Sequence, residues 1–195
     1  MARDLSPLRN RLFFTTEDVV VLLGMDQRSA QVLCSRYVKN GLFIRLKKDF
    51  YVLEQNWTNY SREDFLHITN FLQVPSYISL MTALSIYGVT TQVQRDYFES
   101  VSLRRTISYT VRGKVFNFHK VKRGYYFGFQ KRNGIFIASK EKAFVDAVYL
   151  CSFGRYPLDL SSLDVGALDK KEVLKISEIF PKRTIEAVKE ICGIS

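Results

Sequence analysis

Polar and apolar positions in the first fifty-odd residues fall into helical periods, then into two short extended runs. Leu5–Phe14 reads as a short helix, with Pro7 tolerable only in its first turn. In TTEDVVVLLG, Thr15 can cap and Asp18 stands three residues on, a capping box with Asp in the usual Glu position; Gly24 ends the helix. After the Met25-Asp26 turn, DQRSAQVLCSRYVKNG predicts a helix capped by Asp26 and stopped at Asn40-Gly41. Its residues Ala30, Leu33, Cys34, Tyr37 and Val38 follow i, i+3, i+4, i+7, i+8 and form one buried stripe. The opposite face carries Gln27, Arg28, Gln31, Ser35, Arg36 and Lys39. LFIRL and FYVLE then read as strands joined by Lys47-Lys48-Asp49.

Helix, helix, tight turn, helix and a basic-tipped hairpin is the order of a winged helix-turn-helix, expected over residues 1–56. Gln and Arg on one helix face can offer bidentate donors to adenine and guanine edges in a major groove. Lys47 and Lys48 would then sit against phosphates. A solvated amphipathic face remains the competing explanation.

EQNWTNY (Glu54–Tyr60) is polar and unpatterned, so a linker is expected there, with a second unit over 57–195. In SREDFLHITNFL, Ser61 and Asp64 form another capping pair, and Phe65, Ile68, Thr69 and Leu72 share a stripe. Pro75 breaks the chain, and PSYISLMTALSIYG predicts a helix ending at Gly88. Strands follow in YFESVSL, RTISYTV, KVFNFHKV, YYFGFQK and GIFIAS, with hairpin turns at Arg112-Gly113 and Asn133-Gly134. SKEKAFVDAVYLC returns to helix with Ser139 as cap. Asp169 with Glu172 opens another helix, and Thr184 to Cys192 gives the last. The expected class is α+β, the second unit being a small antiparallel sheet flanked by helices.

Charge changes this picture. The chain of 195 residues has 29 Lys+Arg against 19 Asp+Glu, a net +10. The whole excess lies between Ser100 and Lys140, in Arg104, Arg105, Arg112, Lys114, Lys120, Lys122, Arg123, Lys131, Arg132 and Lys140, a stretch without Asp or Glu. Such clustering suits a polyanionic partner. Tyr109, Phe116, Phe118, Tyr125, Tyr126, Phe127 and Phe129 are interleaved with it. Basic residues beside rings suit single-stranded nucleic acid. Strand parity also allows Phe116 and Phe118 to be core, with Lys114 and Lys120 at the rim. Hydrophobic content of 47% excludes disorder, and no apolar run approaches a membrane span. MARDLSPLRNRLFF lacks secretory signal features, and Cys34, Cys151 and Cys192 read as reduced core thiols; a cytoplasmic protein is expected.

Catalytic signals are poor. His67 and His119 have no local ligand spacing with Cys, Asp or Glu, so no metal site and no cofactor is expected. No HExxH, CxxC, GxGxxG or Walker-type loop occurs. Glu141 and Asp146, five apart on one helix, do not share a face well. The residues favour a binding protein over an enzyme.

PSYISLMTALSIYGVTTQ (Pro75–Gln92), FESVS (Phe98–Ser102) and GIFIASKEKAFVDAVYL (Gly134–Leu150), with its Glu-Lys-Ala-x-x-Asp core, resemble the AbiEi family. These are antitoxins of bacterial abortive-infection, type IV toxin–antitoxin systems, which act in antiviral defence. The resemblance covers nearly the whole chain, through order and combination of segments rather than one diagnostic motif. It implies a repressor that binds inverted repeats in its own promoter, through paired protomers. It also implies a second domain that neutralises an AbiEii-type nucleotidyltransferase toxin without a stable complex. DNA-contacting positions would be Gln27, Arg28, Gln31, Ser35, Arg36 and Lys39, with Lys47 and Lys48 in the wing. Family wings commonly have glycine before the tyrosine matching Tyr51, where this chain has Phe50. The basic sheet could add phosphate contacts through Arg104, Arg105, Arg112, Lys114, Lys120, Lys122, Arg123, Lys131 and Arg132, face a toxin, or be a generic basic surface. The competing functions are a regulator without a toxin and an RNA-binding module using the basic aromatic sheet.

Overall fold

The computed structural model describes residues 4–92 and 94–194. It is α+β and divides into two compact units, 1–68 with 109–113, and 69–108 with 114–195.

In the first unit, α1 (Ser6–Arg9) is a single turn, followed by β1 (Phe14–Thr15), α2 (Thr16–Leu23), α3 (Gln27–Lys39), β2 (Phe43–Lys47) and β3 (Phe50–Leu53). The expected helix over Leu5–Phe14 is therefore cut short. Phe14 pairs with Tyr51, which makes β1 the third strand of an antiparallel sheet ordered β1-β3-β2. Fully buried Phe14, set edge-on to Phe43 at 4.8 Å, explains that outcome: the ring gains more from the core than from another helical turn. The Thr15–Asp18 capping box forms as expected, and Gly24 closes α2 at φ 58, a left-handed conformation that glycine adopts freely. On α3, Ala30, Leu33, Cys34 and Tyr37 are buried and Val38 is half-buried. Burial pushes the Cys34 thiol up to about 11, so it is a packing residue rather than a nucleophile.

The expected linker is folded. Residues Glu54–Trp57 form α4, and Trp57, 7% exposed, packs edge-on against Phe65 at 5.0 Å. Asn56 Nδ2 donates to Arg9 O (2.9 Å), and the Tyr60 hydroxyl donates to Leu12 O (2.6 Å). Helix α5 (Arg62–Leu72) contains the division between the units.

The small antiparallel sheet expected for the second unit is instead a six-stranded mixed sheet ordered β6-β7-β5-β4-β9-β8. Its strands are β4 (Ser76–Ile78), β5 (Tyr97–Ser102), β6 (Ile107–Val111), β7 (Lys114–Lys120), β8 (Phe129–Arg132) and β9 (Ile135–Ala138). β5 runs parallel to β7, and β4 parallel to β9. The helix expected over PSYISLMTALSIYG contains β4 before it becomes α6 (Leu80–Ile86). Tyr77 and Ile78 are fully buried in the middle of the sheet, and pairing with β5 and β9 outweighs the local helical pattern. Of YYFGFQK, only Phe129 onward is strand; Arg123–Tyr125 is a one-turn 3-10 helix. Both predicted hairpin turns have two left-handed residues, Arg112 (φ 47) with Gly113 (φ 81) and Asn133 (φ 48) with Gly134 (φ 81), the signature of type I′.

Helix α7 (Lys140–Ser152), capped by Ser139, is buried along Glu141–Leu150. It packs against α6, α8 (Lys170–Ser177) and α9 (Lys182–Cys192), so it is a central helix rather than an outer one.

Candidate nucleic-acid interface

Asp26 fixes the start of α3: Oδ1 accepts from Ser29 N (2.9 Å) and Oδ2 from the Ser29 hydroxyl (2.6 Å). These bonds hold its carboxyl below the usual range. With the opposite stripe in the core, Gln27, Arg28, Gln31, Ser35, Arg36 and Lys39 are all exposed. Met25, Arg28, Ser29, Val32, Leu33 and Arg36 border a shallow groove of about 330 Å³. At the β2–β3 tip, Lys48 is exposed and Lys47 half-buried, its Nζ 4.7 Å from the Phe50 ring centre. The register shifts between Arg45 and Lys47, a bulge that re-aims the tip. Asp49, not residue 50, takes the left-handed conformation (φ 59), leaving Phe50 to stack on Phe13 at 4.8 Å.

Strand direction sorts the remaining basic residues. β5 and β7 pair in parallel from Tyr97↔Val115 to Ser102↔Lys120, so both end at one edge of the sheet. β4 begins there (Ser76↔Ser102), β9 runs parallel to β4, and β8 ends there (Arg132↔Ile135). Arg104, Arg105, Lys120, Lys122, Lys131 and Arg132 therefore gather at this end, and Arg123 follows in the 3-10 turn. Arg112 and Lys114 lie at the other end, Arg112 bonded to Glu54 (3.3 Å) and Lys114 to Asp96. Among the described residues, no ion pair engages the six gathered side chains. Arg104 Nε donates to Val74 O (2.7 Å) and Gln73 Nε2 to Arg105 O (2.8 Å), tying the backbone at this end. Phe116 and Phe118 are fully buried core.

The same end opens an apolar groove of about 340 Å³ bordered by Phe71, Val74, Ser76, Tyr126, Phe129 and Phe136. Asn70 clamps one wall, its amide donating to Phe136 O (3.3 Å) and its oxygen accepting from Phe136 N. Behind the groove, Tyr77 stacks on Phe129 (4.6 Å, 15°) and meets Tyr126 at 5.0 Å.

Tyr77 belongs to a buried polar centre. Lys142 Nζ donates to Asp146 Oδ1 and to Tyr77 Oη (2.9 Å), while Asp146 Oδ2 accepts from Tyr77 (2.9 Å) and Ser79 (2.8 Å). Both Lys142 and Asp146 are fully buried. Burial pushes Lys142 down and Asp146 up, each opposed by its partner's charge. The Lys142 stem lies so close to Gly128 (φ 70) that a Cβ there would come within 2.9 Å of Cγ. In a second centre, Glu99 Oε2 accepts from Met81 N (3.1 Å) and the Tyr156 hydroxyl (3.0 Å); burial pushes its carboxyl up to about 7. His119 sits edge-on to Tyr156 at 5.5 Å, and burial, then Arg155, push its imidazole down.

No family model matches the chain, and no curated protein matches it by sequence. Its fold is similar to that of the RV2827C protein from Mycobacterium tuberculosis. The TM-score is 0.61 over 95% of this chain and 73% of that one, at 10% identity. At that identity the likeness is one of fold alone.

The sequence pattern sets Glu141 and Asp146 apart, five residues being a poor spacing for one face, and assigns Lys142 no role. The i, i+4 spacing of Lys142 and Asp146 was the available signal, and it normally describes an exposed helix pair. Among the described residues, no group of three or more His, Cys, Asp or Glu is placed to hold a metal ion. Likewise, no helix is long and apolar enough to cross a membrane.

Proposed function

We propose that the chain is a cytoplasmic antitoxin and transcriptional autorepressor, a binding protein without catalysis of its own. In this reading the first unit is a winged helix-turn-helix, α3 enters the major groove, and Lys47 and Lys48 meet the backbone. Paired protomers would read an inverted repeat in the chain's own promoter. The observation that carries it is the α3 surface: Gln27, Arg28, Gln31 and Arg36 are exposed on a helix capped by Asp26 and followed by a bulged, basic-tipped hairpin. Arg112 and Lys114 are the weakest of the additional phosphate contacts, because carboxylates already engage them.

A gel shift with the upstream DNA tests this. Arg28→Ala and Arg36→Ala are each expected to weaken specific binding about tenfold or more, the usual value of a bidentate guanine contact. Unchanged binding by both removes α3 as the reader.

The antitoxin half rests on the AbiEi resemblance. Co-expression with the adjacent reading frame, expected to encode a nucleotidyltransferase with Gly-Ser and paired Asp, should restore growth even when Arg28 and Arg36 are Ala. A neighbour that lacks those motifs, or toxicity that persists, favours a regulator without a toxin.

A further inference from the structure

The α3 reading assigns no role to the apolar groove at the basic end of the six-stranded sheet. We propose that this end of the second unit binds single-stranded RNA, one unpaired base entering the groove while the basic edge follows the phosphates.

Charge argues for a polyanion. Arg104, Arg105, Lys120, Lys122, Lys131 and Arg132 come from three separate stretches of chain, yet the topology brings them to one edge. That edge spans six strands, about 24 Å at the usual strand spacing, enough for several nucleotides. The basic residues at the opposite end have carboxylate partners; among the described residues, these six have none.

The groove argues for a base rather than for phosphate alone. Phe71 is 47% exposed, Val74 56% and Phe136 43%, so three large apolar side chains border it while meeting solvent. Rings presented beside cations are stacking platforms for unpaired bases. Ser76 also borders the groove: it is 5% exposed, and its buried hydroxyl has no partner among the described residues. A buried hydroxyl left unpaired is costly, and Ser can both donate to and accept from a base edge. The walls are held in advance by the Asn70 clamp on Phe136 and by Tyr77, itself fixed by Lys142 and Asp146, behind Phe129.

The same geometry selects against duplexes. A paired base has both faces stacked and its pairing edge engaged, so it cannot enter a groove of about 340 Å³. Splayed, unstacked bases are the ordinary state of RNA loops and ends.

The test is fluorescence anisotropy on the full-length protein with a labelled single-stranded RNA of about twelve nucleotides. The same sequence as single-stranded DNA and as duplex DNA provides the comparison. The single-stranded RNA is expected to bind tightest. Phe136→Ala should weaken it about tenfold with the salt slope unchanged. Lys131→Ala with Arg132→Ala should reduce the slope of log K against log salt by about 1.4, two phosphates' worth on a single strand. Phe71→Ala provides a second ring variant if circular dichroism shows Phe136→Ala to be poorly folded. Single-stranded DNA binding as tightly as the RNA, or both ring variants binding RNA like wild type, overturns the proposal. Both ring variants should leave promoter binding intact, so this inference and the α3 reading fail separately.

Discussion

Asp146→Ala is expected to destabilise the second unit by about 3–5 kcal/mol, the usual cost of leaving one partner of a buried ion pair uncompensated. Lys142 is fully buried and would keep Tyr77 Oη but lose its counter-ion. The rings of Phe127 and Phe180, 4.9 and 5.2 Å from Nζ, offer a cation–π surround that cannot replace a carboxylate. Asp146→Ala also takes away the acceptor to which the buried Tyr77 and Ser79 hydroxyls donate. Asp146→Leu combined with Lys142→Met removes both charges and should recover much of the loss. Denaturant unfolding followed by far-ultraviolet circular dichroism is the measurement, because the single tryptophan, Trp57, lies in the first unit and does not report the second. A single variant as stable as wild type would show that the pair does not hold α7 to β4.

Glu99→Gln should raise stability at pH 8 by about 3 kcal/mol. Burial lifts the Glu99 carboxyl from 4.5 to about 7, so at intermediate pH the folded chain holds a proton that the unfolded chain has released. Stability from this group is therefore fully present below pH 4.5 and lost as pH rises through about 7. The displacement corresponds to about 3 kcal/mol. Gln is neutral throughout and keeps an oxygen to accept from Met81 N and Tyr156. Its melting temperature should exceed wild type by several degrees at pH 8 and match it near pH 4.5, with a flatter profile between. A parallel pair of melting curves across that range would rule the mechanism out.

Much of the first unit is readable from sequence because its signals are local. Thr15 with Asp18, Asp26 with Ser29, and Gly24 satisfy helix ends through near neighbours. Arg112-Gly113 and Asn133-Gly134 set their turns in the same way. The second unit hides its plan because its decisive contacts are distant. Ser76–Ile78 is three residues long and continues smoothly into an apolar helix, so only its partners in β5 and β9 reveal a strand. Lys142 and Asp146 look like solvent-facing charges until α7 is seen to be covered by α6, α8 and α9. The basic stretch was visible as a count, but its division into a paired end and an unpaired end depends on strand direction. The groove was not visible at all, since it joins the end of α5 to turns more than fifty residues later.

The placement of β4 also governs how the chain is made. Ile78 pairs with Ile137, so the middle of the sheet stays open on one side until the ribosome has delivered β9. At about 5–20 residues per second that interval lasts several seconds, during which Tyr77 and Ile78 are apolar and unprotected. Parallel, long-range pairing is slow to form and exposed to aggregation while it waits. Slower elongation is therefore expected to lengthen the time that β4 waits for β9.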